Sequence, residues 1–236
     1  MKQMRFIMGM PVIVEIVGEK KNKPFEKVFE YFGWVDEKFS PYKQNSEVTK
    51  LNFEDKDLKQ ILKQCAQTKK DTNGYFDVFY EGTFDPSGLV KGWAIWEASK
   101  ILEEMKYKDF YIEAGGDIQT HGLNEAHEKW KVGVKNPFNR NQIIKIVQLS
   151  GEGIATSGNY EKGNHIYNPL GKSNSEIVSL TVIGKNVYEA DRFATPLFAM
   201  GFEGIKFLEK KNHLEGYMID KKGFATFTKG FEKYVN

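Results

Sequence analysis

Apolar and polar positions alternate along residues 5–17, "RFIMGMPVIVEIV", and this period of two predicts an opening strand. A charged turn, "GEKKNK", follows it. From Pro24 the period changes. Phe25, Val28, Phe29, Phe32, Val35 and Phe39 recur at helical spacing, with Pro24 at the start and Pro41 as the stop. A second helix fits 57–70, where Leu58, Ile61, Leu62 and Cys65 share a face and "DTNG" closes it. A third runs over 88–106, through "GLVKGWAIWEASKILEEM". Beyond it, "DFYIEAGGDIQTHG" predicts a strand entering a glycine turn, and "KWKVGVKNP", "IIKIVQLSG", "GIATSG" and "IVSLTVIG" predict further strands. Residues 190–210 return to helical periodicity, and the chain closes in a hairpin turning at "KKG". Helices come mostly first and strands later, with one late helix. That order predicts an α+β fold rather than a regular βαβ succession.

Composition narrows this picture. A chain of 236 residues suits one domain, expected to span 1–236. Hydrophobic residues make up 40%, with 18 Phe, 11 Tyr and 4 Trp, enough for a large core and unlike a disordered chain. The formal net charge is +2 with both signs interspersed, so a basic nucleic-acid face is not indicated. Cys65 is the single cysteine, which excludes an internal disulfide and reads as a small buried apolar residue. No apolar run approaches the ~20 residues a membrane-spanning helix needs. The first residues carry charge before an apolar run, but Pro11 and Glu15 interrupt it and no small-residue cleavage site follows. The expectation is a cytoplasmic protein.

Four segments carry candidate chemistry. In "FDPSGLVKGWA", a Pro-Ser-Gly turn feeds a helix, so free backbone amides and Lys91 could receive an anion. Taken alone, a Ser87 cap and a solvated Lys91 explain it equally well. In "EAGGDIQTHG", paired glycines precede Asp117; by itself this reads more readily as a strand-end turn with an Asp cap. In "IATSGNYEKGNHIYNP", His165 sits among hydroxyls and glycines rather than on an apolar face, which favours function. Ser157 lacks the flanking glycine of a nucleophile elbow. His121, His127 and His213 read as surface residues, and no zinc-ligand spacing is present.

The fourth segment is "YEADRFATPLFAMG". Asp191 and Thr195 lie one helical turn apart, so both oxygens face the same way on an otherwise apolar helix. An ordinary first-turn Asp is one explanation. A hard-cation site is the other, because magnesium takes few protein oxygens and completes its shell with water and phosphate. Spacing alone therefore reaches magnesium-dependent phosphate chemistry and no further.

Seven segments, in order, resemble the ApbE family of FAD:protein FMN transferases: "MGMPVIVEI", "FSPYKQNSEVTKLN", "TNGYFDV", "DPSGLVKGWA", "EAGGD", "IATSGNYEKGNHIYNP" and "EADRFATPLFAMG". The resemblance covers nearly the whole chain. It implies an α+β, T-fold-like arrangement of mixed or antiparallel sheets with packed helices, holding FAD between lobes. It implies Mg2+-dependent transfer of FMN from FAD to a Ser or Thr hydroxyl of an acceptor protein, with AMP leaving. Carried over by residue, Asp191 and Thr195 would be side-chain metal ligands and the Val90 carbonyl a third. Met8, Tyr75, Phe76, Asp77, Ser87, Trp93, His165 and Ile166 would line the FAD site. Lys91 and the Thr156-Ser157-Gly158 turn would lie near the diphosphate or flavin. His165 would activate the attacking hydroxyl or position the diphosphate.

One departure stands inside a motif: Asn168 occupies the place of an acid in the family's "H-I-x-D-P". Asn keeps hydrogen bonding and loses the charge. The competing readings are an FAD pyrophosphatase using the same metal with water as acceptor, a non-catalytic FAD-binding module, and a globular protein whose motif matches are structural.

Overall fold

The computed structural model of the chain describes residues 1–80, 82–158, 168–171 and 176–235. The expected opening strand is in fact two strands, β1 (Lys2–Ile7) and β2 (Met10–Ile16), paired antiparallel with Ile7 opposite Met10. The alternation is interrupted because Met8, at φ 57°, and Gly9, at φ 70°, form the two left-handed positions of a tight turn. Glycine takes such a φ freely; a methionine rarely does.

Helices α1 (Lys23–Phe39), α2 (Lys56–Asp71) and α3 (Ser87–Glu104) fall where periodicity puts them. Every residue of the α1 stripe, from Phe25 to Phe39, is buried. Asp55 starts α2 by accepting hydrogen bonds from the Asp57 and Leu58 N–H groups. A minimal hairpin, β3 (Phe79–Tyr80) with β4 (Thr83–Phe84), separates α2 from α3. The glycine-turn segment is also a hairpin, β5 (Phe110–Ala114) and β6 (Asp117–His121), turning at Gly115 and Gly116. Strands β7 (Trp130–Asn136), β8 (Asn139–Leu149), β9 (Gly153–Gly158) and β10 (Ile177–Gly184) match expectation. The late helix begins earlier than its pattern suggests and divides at Gly201, φ 65°, into α4 (Val187–Ala199) and α5 (Phe202–Leu208). Strands β11 (Leu214–Asp220) and β12 (Ala225–Phe227) form the closing hairpin.

Eight strands form one antiparallel sheet in the order β1-β2-β5-β6-β9-β10-β11-β12. Its register decides what meets the helices. Val12 pairs with Ala114, Ala114 with Asp117, Ile112 with Gln119, Gln119 with Gly153, Ala155 with Val182 and Ser157 with Leu180. Paired residues point to the same face, so this set lines one face of the sheet. Helices α1–α3 cover its β2–β5 half, burying Val12, Val14, Phe110 and Ile112. Helices α4 and α5 cover the β9–β11 half, over Ala155, Leu180, Val182 and Met218. On the opposite face, the β7–β8 hairpin packs over Ile154, Ile183, Tyr217 and Ile219. Asp117 and Ser157 thus share the helix-covered face, at the sheet end that also holds the Met8–Gly9 and Gly115–Gly116 turns.

Candidate active site

The site forms where α3 and α4 meet over that end of the sheet. Two glycines permit the approach. A Cβ on Gly92 would stand 2.5 Å from Asp191 Cβ, and one on Gly153 would stand 1.8 Å from the Val187 nitrogen. Any side chain at either position would therefore push α4 away. The start of α4 is anchored by Asn186, whose Oδ1 accepts from Glu189 N–H, and by Gln119, whose Oε1 accepts from Val187 N–H at 2.8 Å. Asn186 is thus the cap, and Asp191 lies in the second turn rather than at the helix start.

Asp191 is 3% exposed and Asp117 is 1% exposed. Two buried carboxylates so close demand compensation. Asp191 Oδ2 accepts from Gly92 N–H at 2.8 Å, and Asp117 Oδ1 accepts from Thr156 N–H at 3.1 Å. The Lys91 ammonium lies 2.5 Å from Asp117 Oδ2 and 3.8 Å from Asp191 Oδ1. Burial pushes the Asp191 carboxyl well above the ordinary carboxylate range; Asp117 adds to this, while Lys91 and the Gly92 amide oppose it. Beside this centre, Ser157 Oγ and Thr195 Oγ1 are 3.0 Å apart and hydrogen-bonded. The result is a cluster of oxygen donors with one cation already among them.

The other predicted residues are placed as follows. Thr156 points to the opposite face, its hydroxyl 2.9 Å from that of Thr181, and only its backbone reaches the site. Gly158 ends β9. Met8 packs at the β1–β2 turn against the helical core. Phe76 is buried beneath the start of α3, where a Cβ on Gly88 would touch its ring. Tyr75 lies in the turn after α2, its N–H on the Thr72 carbonyl. Asp77 Oδ1 accepts from Phe79 N–H and its Oδ2 pairs with Lys69 at 2.5 Å. Burial raises the Asp77 carboxyl, but that lysine and the backbone donors outweigh it and hold the group below the usual range. Ser87 is the first residue of α3, and its N–H donates to Asp85 Oδ1.

Trp93 lies two residues from Lys91, which on a helix is nearly the opposite face. Its ring packs edge-on against Phe39 and lines a cleft of about 310 Å³ between α1, α2 and α3, away from the carboxylates. Val90 is a buried residue of α3, next to Lys91. His165 and Ile166 lie outside the described residues.

Asn168 has a structural use for its amide. Its Oδ1 accepts from Leu170 N–H at 2.9 Å and its Nδ2 donates to the Ala199 carbonyl at 3.3 Å, at the end of α4. An aspartate could not make the second bond, and its charge would face the negative end of that helix.

Sequence reasoning read Asp117 as a turn cap and did not single out Gly92 or Gln119. The paired glycines before Asp117 were the available signal. Among the described residues, no three His, Cys, Asp or Glu side chains cluster as a metal cage, and no helix is long and apolar enough to cross a membrane.

The fold as a whole is that of the ApbE-type flavin transferases. A solved structure described as the flavin transferase ApbE from Vibrio cholerae superposes with a TM-score of 0.88 at 19% identity, covering 100% of this chain and 99% of that one. The ApbE protein of Thermotoga maritima gives a TM-score of 0.87 at 21% identity, covering 100% and 99%. The family model for the ApbE family matches residues 80–218, and the chain belongs to that family. In sequence it is 29% identical over 163 residues to the FAD:protein FMN transferase of Vibrio cholerae, covering 64% of this chain and 47% of that protein. The enzyme of the same name from Escherichia coli K12 is 29% identical over 150 residues, covering 59% and 43%. The chain therefore spans just under half the length of the curated relatives it matches.

Proposed function

We propose that the whole chain acts as one FAD:protein FMN transferase. Its substrate is FAD, and its acceptor is a Ser or Thr hydroxyl of a partner protein. The hydroxyl oxygen bonds to the phosphorus of the FMN half while the bond from that phosphorus to the bridging oxygen breaks. AMP leaves with the bridging oxygen, and the hydroxyl proton is released. The observation that carries this reading is the buried Asp191 carboxylate, beside Lys91 and the Ser157–Thr195 hydroxyl pair at the start of α3. Curated relatives that bear the transferase name support the same reading.

The donor set fits a divalent cation: hard oxygens, a buried acid, and a lysine occupying cationic space beside it. Asp191 and Thr195 would hold magnesium, whose contribution is to neutralise negative charge on a diphosphate. Lys91 would orient the diphosphate near the start of α3, where no first-turn acid opposes it. His165 would take the proton from the attacking hydroxyl.

The test is to incubate the protein with FAD, magnesium and an acceptor domain, and to separate the products. FMN on the acceptor with free AMP is expected. FMN and AMP both free, with no acceptor labelled, would make the protein a pyrophosphatase instead. Intact FAD would overturn both enzymatic readings. Asp191→Ala should lower turnover by about a hundredfold or more, since a catalytic metal contributes several kcal/mol and each 1.36 kcal/mol is tenfold.

A further inference from the structure

The carboxylate centre is asymmetric in a way that the metal proposal does not use. Each buried carboxylate has one oxygen fixed by a backbone amide: Asp191 Oδ2 by Gly92 N–H and Asp117 Oδ1 by Thr156 N–H. The other oxygen of each is directed at Lys91, at 2.5 Å for Asp117 and 3.8 Å for Asp191. Main chain from α3 and β9 holds the acids in place. The lysine reaches both acids on a flexible four-carbon stem.

We propose that Lys91 is a resident counter-ion competing with the divalent cation for Asp191, and that Asp117 is the positioning residue that draws it aside. This rests on the reading that Asp191 and Thr195 hold the metal. A cation arriving at Asp191 Oδ1 meets an ammonium 3.8 Å from that oxygen. Like charges at that range oppose each other strongly in a site with so little water. Asp117 offers the lysine a closer alternative partner, and its own Oδ2 is already within 2.5 Å. An incoming diphosphate offers the ammonium a second one. The consequence is coupling: metal binds weakly to the ligand-free protein and more tightly with the anionic ligand present, because the anion relieves the clash. The lysine thereby selects the metal–diphosphate complex over the metal alone.

The two side chains must then act on metal affinity with opposite signs, which a merely structural role would not produce. The measurement is free Mn2+ counted by electron paramagnetic resonance during titration of FAD-free protein. Lys91→Met should bind Mn2+ about tenfold more tightly than wild type, as removing an opposing charge at this distance implies. Asp117→Asn, which takes away the ammonium's closer carboxylate, should bind it several-fold more weakly. FAD should tighten Mn2+ binding less in Lys91→Met than in wild type. If Lys91→Met does not fold, as judged by circular dichroism, Lys91→Gln carries the same prediction. Unchanged or weaker Mn2+ binding in the lysine variant, with binding abolished by Asp191→Ala, would overturn the counter-ion role and leave the metal site standing. Mn2+ binding unaffected by Asp191→Ala would remove the metal reading and this inference with it.

Discussion

The first turn of α4 is closed by protein. Asn186 takes the Glu189 amide, Gln119 takes the Val187 amide, and Glu189 adds an acid to the first turn. The first turn of α3 is built differently. Pro86 holds the N-cap position, no side chain caps from it, and the first turn carries no acid. The Ser87 amide donates to Asp85 Oδ1, and the Leu89 and Val90 amides donate to the Pro86 carbonyl. With the Asn186 and Gln119 side chains closing its first turn, α4 presents an acid from its second turn. The start of α3 has no first-turn acid and carries Lys91 one turn further on, which suits an anion. The two helices meet at Gly92, so the cationic and anionic halves of one ligand would fall side by side.

If α4 is a clamped element, cutting its clamp should cost the most. Arg192 donates to Asp71 of α2 at 2.8 Å, and to both carboxylate oxygens of Glu189. The Arg192 side chain is 12% exposed and that of Glu189 is 11% exposed. Arg192→Ala leaves Glu189 without its two-pronged partner and Asp71 with Gln67, and breaking this partly buried network should cost about 3 kcal/mol, the low end for a buried pair. Urea denaturation at pH 7 should show that loss. Burial raises the Asp71 carboxyl, but the hydrogen bonds from Arg192 and Gln67 outweigh it and hold the group below its ordinary value. A lowered folded value stabilises above the unfolded one, near 3.9, and the benefit disappears as pH falls through the folded value. The difference between wild type and Arg192→Ala should therefore shrink below about pH 4.

The parts of this comparison differ in how far the sequence revealed them. The α1 stripe and the Asp191–Thr195 spacing are local patterns, with repeats of three or four residues, and both are legible directly. The β1–β2 turn is not, because Met8 adopts a left-handed φ that its side chain does not advertise. The partners of the site are separated by long stretches of chain: Gly92 from Asp191 by 99 residues, Gln119 from Val187 by 68, Asp117 from Thr156 by 39 and Ser157 from Thr195 by 38. The sheet register and the packing of α4 against α3 and the sheet bring these together. Asp117 reads locally as a turn cap, and its meaning changes once Ile118 pairs with Ile154. Trp93 shows the converse: a motif residue whose helical phase turns it toward Phe39 and away from the carboxylates.

A single cap of α4 should cost less than its clamp. Gln119 is 1% exposed, and its side chain links β6 to the first amide of α4 while its Nε2 donates to the Gly151 carbonyl. Gln119→Ala leaves the Val187 N–H buried without its acceptor, a loss of about 1–3 kcal/mol. Thermal unfolding followed by circular dichroism would register it as a lower Tm. Magnesium-dependent turnover measured well below that Tm should fall as well, because α4 carries Asp191. A lower Tm with undiminished turnover would show that the cap stabilises the fold without positioning the acid.

The smallest stability effect is expected at the α3 start, and it is the most informative about the contrast between the helices. Ser87 is exposed and opens α3, with its own amide held by Asp85. Ser87→Ala should therefore change unfolding free energy by no more than about 0.5 kcal/mol, the usual range for a surface substitution. If this helix start serves a ligand, the same substitution should weaken FAD binding several-fold, read by quenching of flavin fluorescence, with Tm unchanged in the absence of FAD. A drop in Tm without FAD, and unaltered FAD binding, would mean that Ser87 closes α3 as Asn186 closes α4. The two helix starts would then be alike, and the anion-binding role would have to rest on Lys91 alone.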